Sequence, residues 1–274
     1  MLTRGGTVVS RFMRVANRLG ILVWEQWTAL SQAAAVMGTT LYLALLPRSW
    51  ARGARDRFAR QILEVGVEPL LFVSAVAAFV GVSVVVQLAF WTGHAGQAQL
   101  LGPLLVAVVA RELGPMLTNI IVIARSSSAM AAELGLMQAN GAVRTMETKG
   151  EDPFLYLVMP RVLGLALSTF CLTLLFILLA LASGYFFGAW LGTGSRNLWY
   201  FIDTVLNALH PEDMIVICAK SILPALFTAA TCCIGGLSVG DSVLNIPRST
   251  QRALTRSIAG LFVISVVVSL LTYL

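Results

Sequence analysis

The chain has 274 residues, 58% of them hydrophobic and 12% charged, with a formal net charge of +6 and a mean hydropathy of +0.84. Soluble domains carry about 25% charged residues, so half of the usual solvating surface is missing and a soluble enzyme is excluded. The positive balance does not point to nucleic acid: nine of the 19 basic residues precede position 61, beside apolar segments, where they suit anionic headgroups and topology control. Cys171, Cys218, Cys232 and Cys233 lie inside apolar runs without metal or disulfide spacing, and are expected to be buried small hydrophobes.

Residues 1–19 read as a basic amphipathic helix, with Arg11, Arg14 and Arg18 at helical spacing and Val8, Phe12 and Met13 available to face lipid. No small-residue cleavage site follows them, so no cleavable signal peptide is expected. Residues 20–46 are apolar but interrupted by Glu25, Gln26 and Gln32, and Arg48, Arg52, Arg55, Arg57 and Arg60 follow. A crossing there would split the arginines between two sides, so 20–46 is expected to be an elbow that enters the membrane and returns. Residues 50–65 then form a second interfacial helix, with Trp50, Ala54, Phe58 and Ile62 as its apolar stripe.

The first span is expected at 69–92, uncharged after Glu68 and with Gln87 as its one strongly polar side chain. The second covers 101–124 and continues as helix to Met137, for want of a breaker. A loop at 139–153 follows, then an apolar run over 154–191, too long for one upright helix. Two spans would fit there by length, but charge decides for one. The loop 192–213 has Arg196 against Asp203, Glu212 and Asp213, whereas the loop after a fourth span at 214–238 has Arg248, Arg252 and Arg256. With a fifth span at 257–274, the arginines all lie inside, the N-terminus is cytoplasmic and the C-terminus is outside. The expected fold is thus an all-α integral membrane protein of about five transmembrane helices. Interfacial and elbow helices over 1–66 precede a transmembrane domain over 67–274.

Nothing resembles a catalytic or metal site, and no phosphate-cradling glycine loop is present, so nucleotide-driven transport would need a separate ATPase. The most informative residues are Arg111 and Glu112. From Leu101 to Glu112 the helix rises on the order of 16 Å, near the midplane. Charges at that depth need partners or a wet cavity. One reading is a polar patch in a substrate cavity or at a subunit seam; the other is a structural ion pair with Lys220 of the fourth span. Gly114-Pro115 is expected to kink the helix, and Ser126 to Gly135 form a small-residue surface read as close packing. In the loop, Met146 among Arg144, Glu147 and Lys149 reads either as a solvated connector or as a docking helix for a cytoplasmic partner.

The run Arg111-Glu112-Leu113-Gly114-Pro115-Met116-Leu117-Thr118, then Ala129 to Ala132 with Glu133-Leu134-Gly135, resembles the motifs of the MlaE (YrbE-like) permeases of ABC lipid transporters. Met146 to Pro153 resembles a looser version of that family's next segment, and Tyr156-Leu157-Val158-Met159-Pro160-Arg161 its continuation. The resemblance covers about residues 50–274. It implies a homodimeric permease of the bacterial inner membrane, bound to two cytoplasmic ATPase subunits that hold ATP and Mg. It also implies an Mce-domain (MlaD-like) periplasmic partner and phospholipid as cargo, either importing lipid or maintaining outer-membrane asymmetry.

The chain itself would hold no cofactor and no catalytic residue. By the same resemblance the 141–153 segment is a coupling helix, with Arg144, Met146, Glu147, Lys149, Gly150 and Asp152 facing the ATPase. Arg111, Glu112, Lys220 and Gln87 are the expected polar cavity residues. Phe79, Val84, Leu88, Phe262 and Leu270 are the expected acyl-chain contacts. Val268 stands where the family often has an acidic residue, which would leave Arg111 and Lys220 one carboxylate short. A self-sufficient secondary transporter of a small solute is the rival reading, but its usual inverted repeats are not seen in the sequence.

Overall fold

A computed structural model describes residues 28, 30–46, 52–94, 96, 101–190, 197–240 and 242–273. The expected amphipathic helix at 1–19, Trp50 and Arg196 lie outside these residues. Among the described residues all regular structure is helical: α1 (30–44), α2 (Gly53–His94), α3 (Leu101–Ala139), α4 (Ala142–Thr148), α5 (Phe154–Trp190), α6 (Leu198–Ala208), α7 (Pro211–Leu237) and α8 (Val243–Thr272). Five of them, α2, α3, α5, α7 and α8, are long and apolar enough to cross a membrane. The single long helix over Phe154–Trp190 and the extension of the second span to Ala139 match the expectation.

Three elements differ from it. Residues 30–44 form one unbroken helix, so no reversal of an elbow falls within them; Val36 and Met37 pack instead with Phe227 and Ile234 of α7 and Ile264 of α8. The expected interfacial helix and first span run together as α2, joined by a wide π-type turn at Leu63–Val67. At 42 residues α2 is about 63 Å long, twice the hydrocarbon thickness, so a good part of it lies outside the bilayer core. Within the expected loop 192–213 lies α6, an apolar helix started by Asn197, whose side chain accepts from the Trp199 N–H at 3.1 Å. Charge counting hid it, because Asp203, Glu212 and Asp213 made the segment look uniformly polar.

α7 is the central helix: 72% of its apolar stretch is buried, against 28% for α2 and 17% for α8. Those two form the margins of the bundle. Burial on α2 recurs at every fourth residue, Val73, Ala77, Gly81, Val85 and Ala89, a narrow ridge that packs chiefly on α5. A side chain on Gly81 would overlap the Ala180 carbonyl, and one on Gly184 would lie 2.7 Å from the Gly81 carbonyl. The two backbones therefore touch, and the Ser183 hydroxyl donates across the contact to the Ala78 carbonyl at 3.2 Å. Of the cysteines, Cys232 and Cys233 are buried as expected, but Cys171 is exposed, lining an open apolar groove between α5 and α2.

Candidate functional site

The expected kink at Pro115 is resolved differently. Proline has no N–H and its ring crowds the carbonyl four residues back, which belongs to Arg111. The backbone widens into π-type turns over Val106–Leu113, with the Gly114 N–H reaching the Val109 carbonyl, and the helix continues. Widened turns of this kind are frequent at functional sites. Here they carry Arg111 and Glu112, which are adjacent in sequence yet reach two different turns of α7.

The Arg111 guanidinium pairs with the Asp213 carboxylate at the start of α7. Asp213 is fully buried, and its other oxygen accepts from the His210 backbone N–H at 2.7 Å, closing the N-terminus of α7. Seven residues on, about 10 Å along the same helix, the Lys220 ammonium donates to Glu112 Oε1 at 2.5 Å. The same oxygen accepts from the Ser269 hydroxyl of α8 at 3.2 Å. Asn119, also buried, donates to the Pro115 carbonyl of its own helix at 2.8 Å and to the Lys220 carbonyl at 3.3 Å. The result is a ladder of alternating sign, Asp213, Arg111, Glu112 and Lys220, with no net charge. It meets the condition for charged groups at membrane depth, namely opposite partners and hydrogen bonds.

The Asp213–Arg111 pair is the more enclosed half of the ladder, and the Glu112–Lys220 half opens to the surface at Glu112. The side chains of Asp213 and Lys220 are 1% and 2% exposed, whereas that of Glu112 is 45% exposed. Ser269→Ala removes a single hydroxyl donor from this open end. It is expected to cost about 1 kcal/mol, read as a small drop in unfolding midpoint in detergent, because Lys220 still holds the carboxylate.

Arg111, Glu112 and Lys220 are thus brought together, but Gln87 is not: it is exposed on α2 and shares no hydrogen bond with the ladder. The expected shortage of a carboxylate is overturned by Asp213, which serves Arg111, while Ser269 next to Val268 supplies a hydroxyl to Glu112. Asp213 was missed because it reads as part of an acidic loop; the signal available was Pro211 with acidic residues in the first turn, a helix start. Of the expected acyl contacts, Phe79, Phe262 and Leu270 are exposed, while Val84 and Leu88 are half-buried against the core.

A second charged contact binds two of the sequence motifs: Arg161 at the start of α5 pairs with Glu133 of α3 at 2.8 Å. Beyond it, α4 is set off by two glycines at left-handed φ, Gly141 (71°) and Gly150 (78°), a conformation in which a side chain would be strained. Met146 and Val143 anchor α4 to the bundle, and Arg144, Glu147, Lys149, Gly150 and Asp152 face outward. Asp152 also starts α5, accepting from the Phe154 N–H at 2.9 Å.

A family model described as Permease MlaE matches residues 58–271. The chain is 29% identical over 210 residues to the Arabidopsis thaliana protein TRIGALACTOSYLDIACYLGLYCEROL 1, chloroplastic, covering 77% of this chain but only 59% of that protein. It is 28% identical over 209 residues to a probable ABC transporter permease protein of Synechocystis, covering 76% of this chain and 79% of the relative. It is 29% identical over 184 residues to the intermembrane phospholipid transport system permease protein MlaE of Haemophilus influenzae, covering 67% and 69%. Together, the five apolar helices and a family match spanning most of their length establish that the chain belongs to the MlaE permease family.

Proposed function

We propose that this chain is the membrane-spanning subunit of an ABC transporter that moves phospholipid between the inner membrane and a periplasmic Mce-type carrier. Two copies form the pathway, and a cytoplasmic ATPase holding ATP and Mg supplies the energy. The observation that carries this reading is the half-exposed Glu112 of the charge ladder, which accepts from Ser269 of the largely uncovered α8. A polar spot beside an apolar wall complements an amphiphile. Acyl chains gain about 0.8 kcal/mol per buried CH₂ without polar readout, and the headgroup meets the ladder. The names of the Synechocystis and Haemophilus relatives support the same assignment.

In this reading the N-terminus is cytoplasmic, α4 lies on the cytoplasmic face and the C-terminus is periplasmic. The outward residues of α4 dock on the ATPase. Reversing Arg144 and Glu147 together (Arg144→Glu, Glu147→Arg) is expected to weaken ATPase association about tenfold or more, leaving the thermal midpoint of the chain unchanged. The direct test is purification of the tagged chain in mild detergent with mass spectrometry of bound proteins and lipids, followed by reconstitution. Co-purifying ATPase, Mce-domain protein and phospholipid, with ATP-dependent lipid transfer, is the expected result. Solute transport by the chain alone, without ATPase, would overturn it.

A further inference from the structure

At the end of the bundle opposite α4, the helix α6 docks on α5 and on the first turn of α3. A Cβ on Gly102 would overlap the Thr204 carbonyl, so the backbone of α6 rests directly on that turn. The Phe201 ring lies 5.1 Å from the ring of Tyr185. Successive residues of an α-helix turn by about 100°, which sorts the side chains of α6 into three strips. Phe201, Thr204, Val205 and Ala208 form the docked strip, and all four are buried or half-buried. Leu198, Trp199, Ile202 and Leu206 form the next, over an arc of about 100°. All four are exposed, Trp199 at 77% and Leu206 at 64%. Tyr200, Asp203 and Asn207 form the third strip and are exposed as well.

A surface helix of a soluble protein needs two strips, one to dock and one to meet water. α6 has an apolar strip left over, bordered along its length by a polar one. Water on both sides would favour polar residues in both strips. A membrane surface supplies the two environments side by side. A helix lying in it turns apolar residues to the acyl chains and polar ones to the water.

The depth agrees. Tyr200 and Phe201 line a small crevice with Ala89 of α2 and with Gly188 and Ala189 of α5, which sets α6 level with the ends of those two spans. Two residues beyond Ala89 and Gly188 stand Trp91 and Trp190, both exposed, and Phe90 and Phe186 beside them are exposed too. Aromatic residues concentrate at headgroup level, where tryptophan and tyrosine keep one end dry and the other wet. Trp199 and Tyr200 carry this belt onto α6, so its apolar strip continues the lipid-facing surface of the spans. We infer that α6 is an interfacial helix embedded in the surface of the leaflet opposite α4, with Leu198, Trp199, Ile202 and Leu206 inserted among the acyl chains. The bordering polar strip and the aromatic belt favour lipid over a protein occupant, which would require neither. The inference rests on the membrane-spanning fold and not on transport.

The test is spin-label accessibility in the full chain, reconstituted into vesicles of phosphatidylethanolamine and phosphatidylglycerol. Ile202→Cys, Leu206→Cys, Asp203→Cys and Asn207→Cys are labelled one at a time in a chain carrying Cys171→Ala and Cys218→Ala, since Cys232 and Cys233 are buried. Molecular oxygen concentrates among acyl chains and a neutral nickel chelate in water, so the relaxation each causes reports the surroundings of the label. Labels at 202 and 206 are expected to meet oxygen and to exclude nickel severalfold relative to labels at 203 and 207, which should do the reverse. Leu198→Cys and Tyr200→Cys repeat the comparison one turn earlier, and thermal midpoints show which labelled variants are folded. Nickel reaching both strips alike places the apolar strip in water and overturns the inference. Exclusion of oxygen and nickel together from 202 and 206 means that a second copy of the chain covers the strip, and overturns it equally. Because the readout is position in the membrane, a failure of lipid transport leaves it intact, and its own failure leaves the transport reading standing.

Discussion

Glu112→Leu is expected to destabilise the protein more than Lys220→Met, although both changes break the same ion pair. The asymmetry follows from burial. Without Glu112, the Lys220 ammonium stays 2% exposed and unneutralised in the middle of α7, and stranding a buried charge costs about 3–5 kcal/mol. Without Lys220, the Glu112 carboxylate is 45% exposed and keeps the Ser269 hydroxyl, so the loss is smaller, about 1–3 kcal/mol. Unfolding midpoints of the two variants in one detergent give the ranking. The reverse order would mean that the ladder opens at Lys220 instead of Glu112. The double variant Glu112→Leu with Lys220→Met removes both charges and is expected to regain most of the stability, since an apolar pair of similar volume replaces a buried ion pair at little net cost. Transport separates the two readings of the pair. A double variant that is stable but transports no lipid assigns the ladder to the headgroup path, and one that transports normally makes it a structural clamp.

Much of the fold was legible because a bilayer imposes its own grammar. Uninterrupted apolar runs located α3, α5 and α7 closely, and the distribution of arginine was enough to choose one helix over two between Phe154 and Trp190. The same two signals failed where polarity and structure part company. α6 was hidden by the acidic residues around it, and the boundary drawn at Glu68 gave no hint that α2 continues through a widened turn.

The site divides the same way. Arg111 and Glu112 stand out because charge at that depth is rare, and Lys220 could be paired with Glu112 as the other charge within a span. Asp213 could not be paired with Arg111, because the two are adjacent only through the packing of α3 on α7. Ser269 is a common residue in an apolar helix, and no local pattern marks it as the donor to Glu112.

Gly81→Leu is expected to prevent α2 from seating on α5, whereas the same change at Gly93 is tolerated. Both glycines lie in one helix and neither has an unusual φ, so sequence alone does not rank them. The structure does. A Cβ at Gly81 would enter the space of the Ala180 carbonyl and lie 2.5 Å from the Ser183 hydroxyl oxygen, and the backbone part of that obstacle cannot rotate away. A Cβ at Gly93 meets nothing within 4 Å. Lipid competes for apolar surface as well as another helix does, so α2 is held mainly by this close approach and the hydrogen bond it permits from Ser183. Even Gly81→Ala should cost about 1–3 kcal/mol by overpacking, and Gly81→Leu more, whereas Gly93→Ala should be neutral or slightly stabilising. Gly184→Ala should behave like Gly81→Ala, because its Cβ would press on Val85 and the Gly81 carbonyl from the opposite side. Once either change has pushed the helices apart, the second has little left to disturb, so the double variant should lose less than the sum. Monodisperse yield and unfolding midpoint in mild detergent measure all of these. If Gly81→Leu and Gly93→Leu proved equally stable, close backbone contact would not be what holds α2, and its anchoring would have to come from Val73, Ala77, Val85 and Ala89 alone.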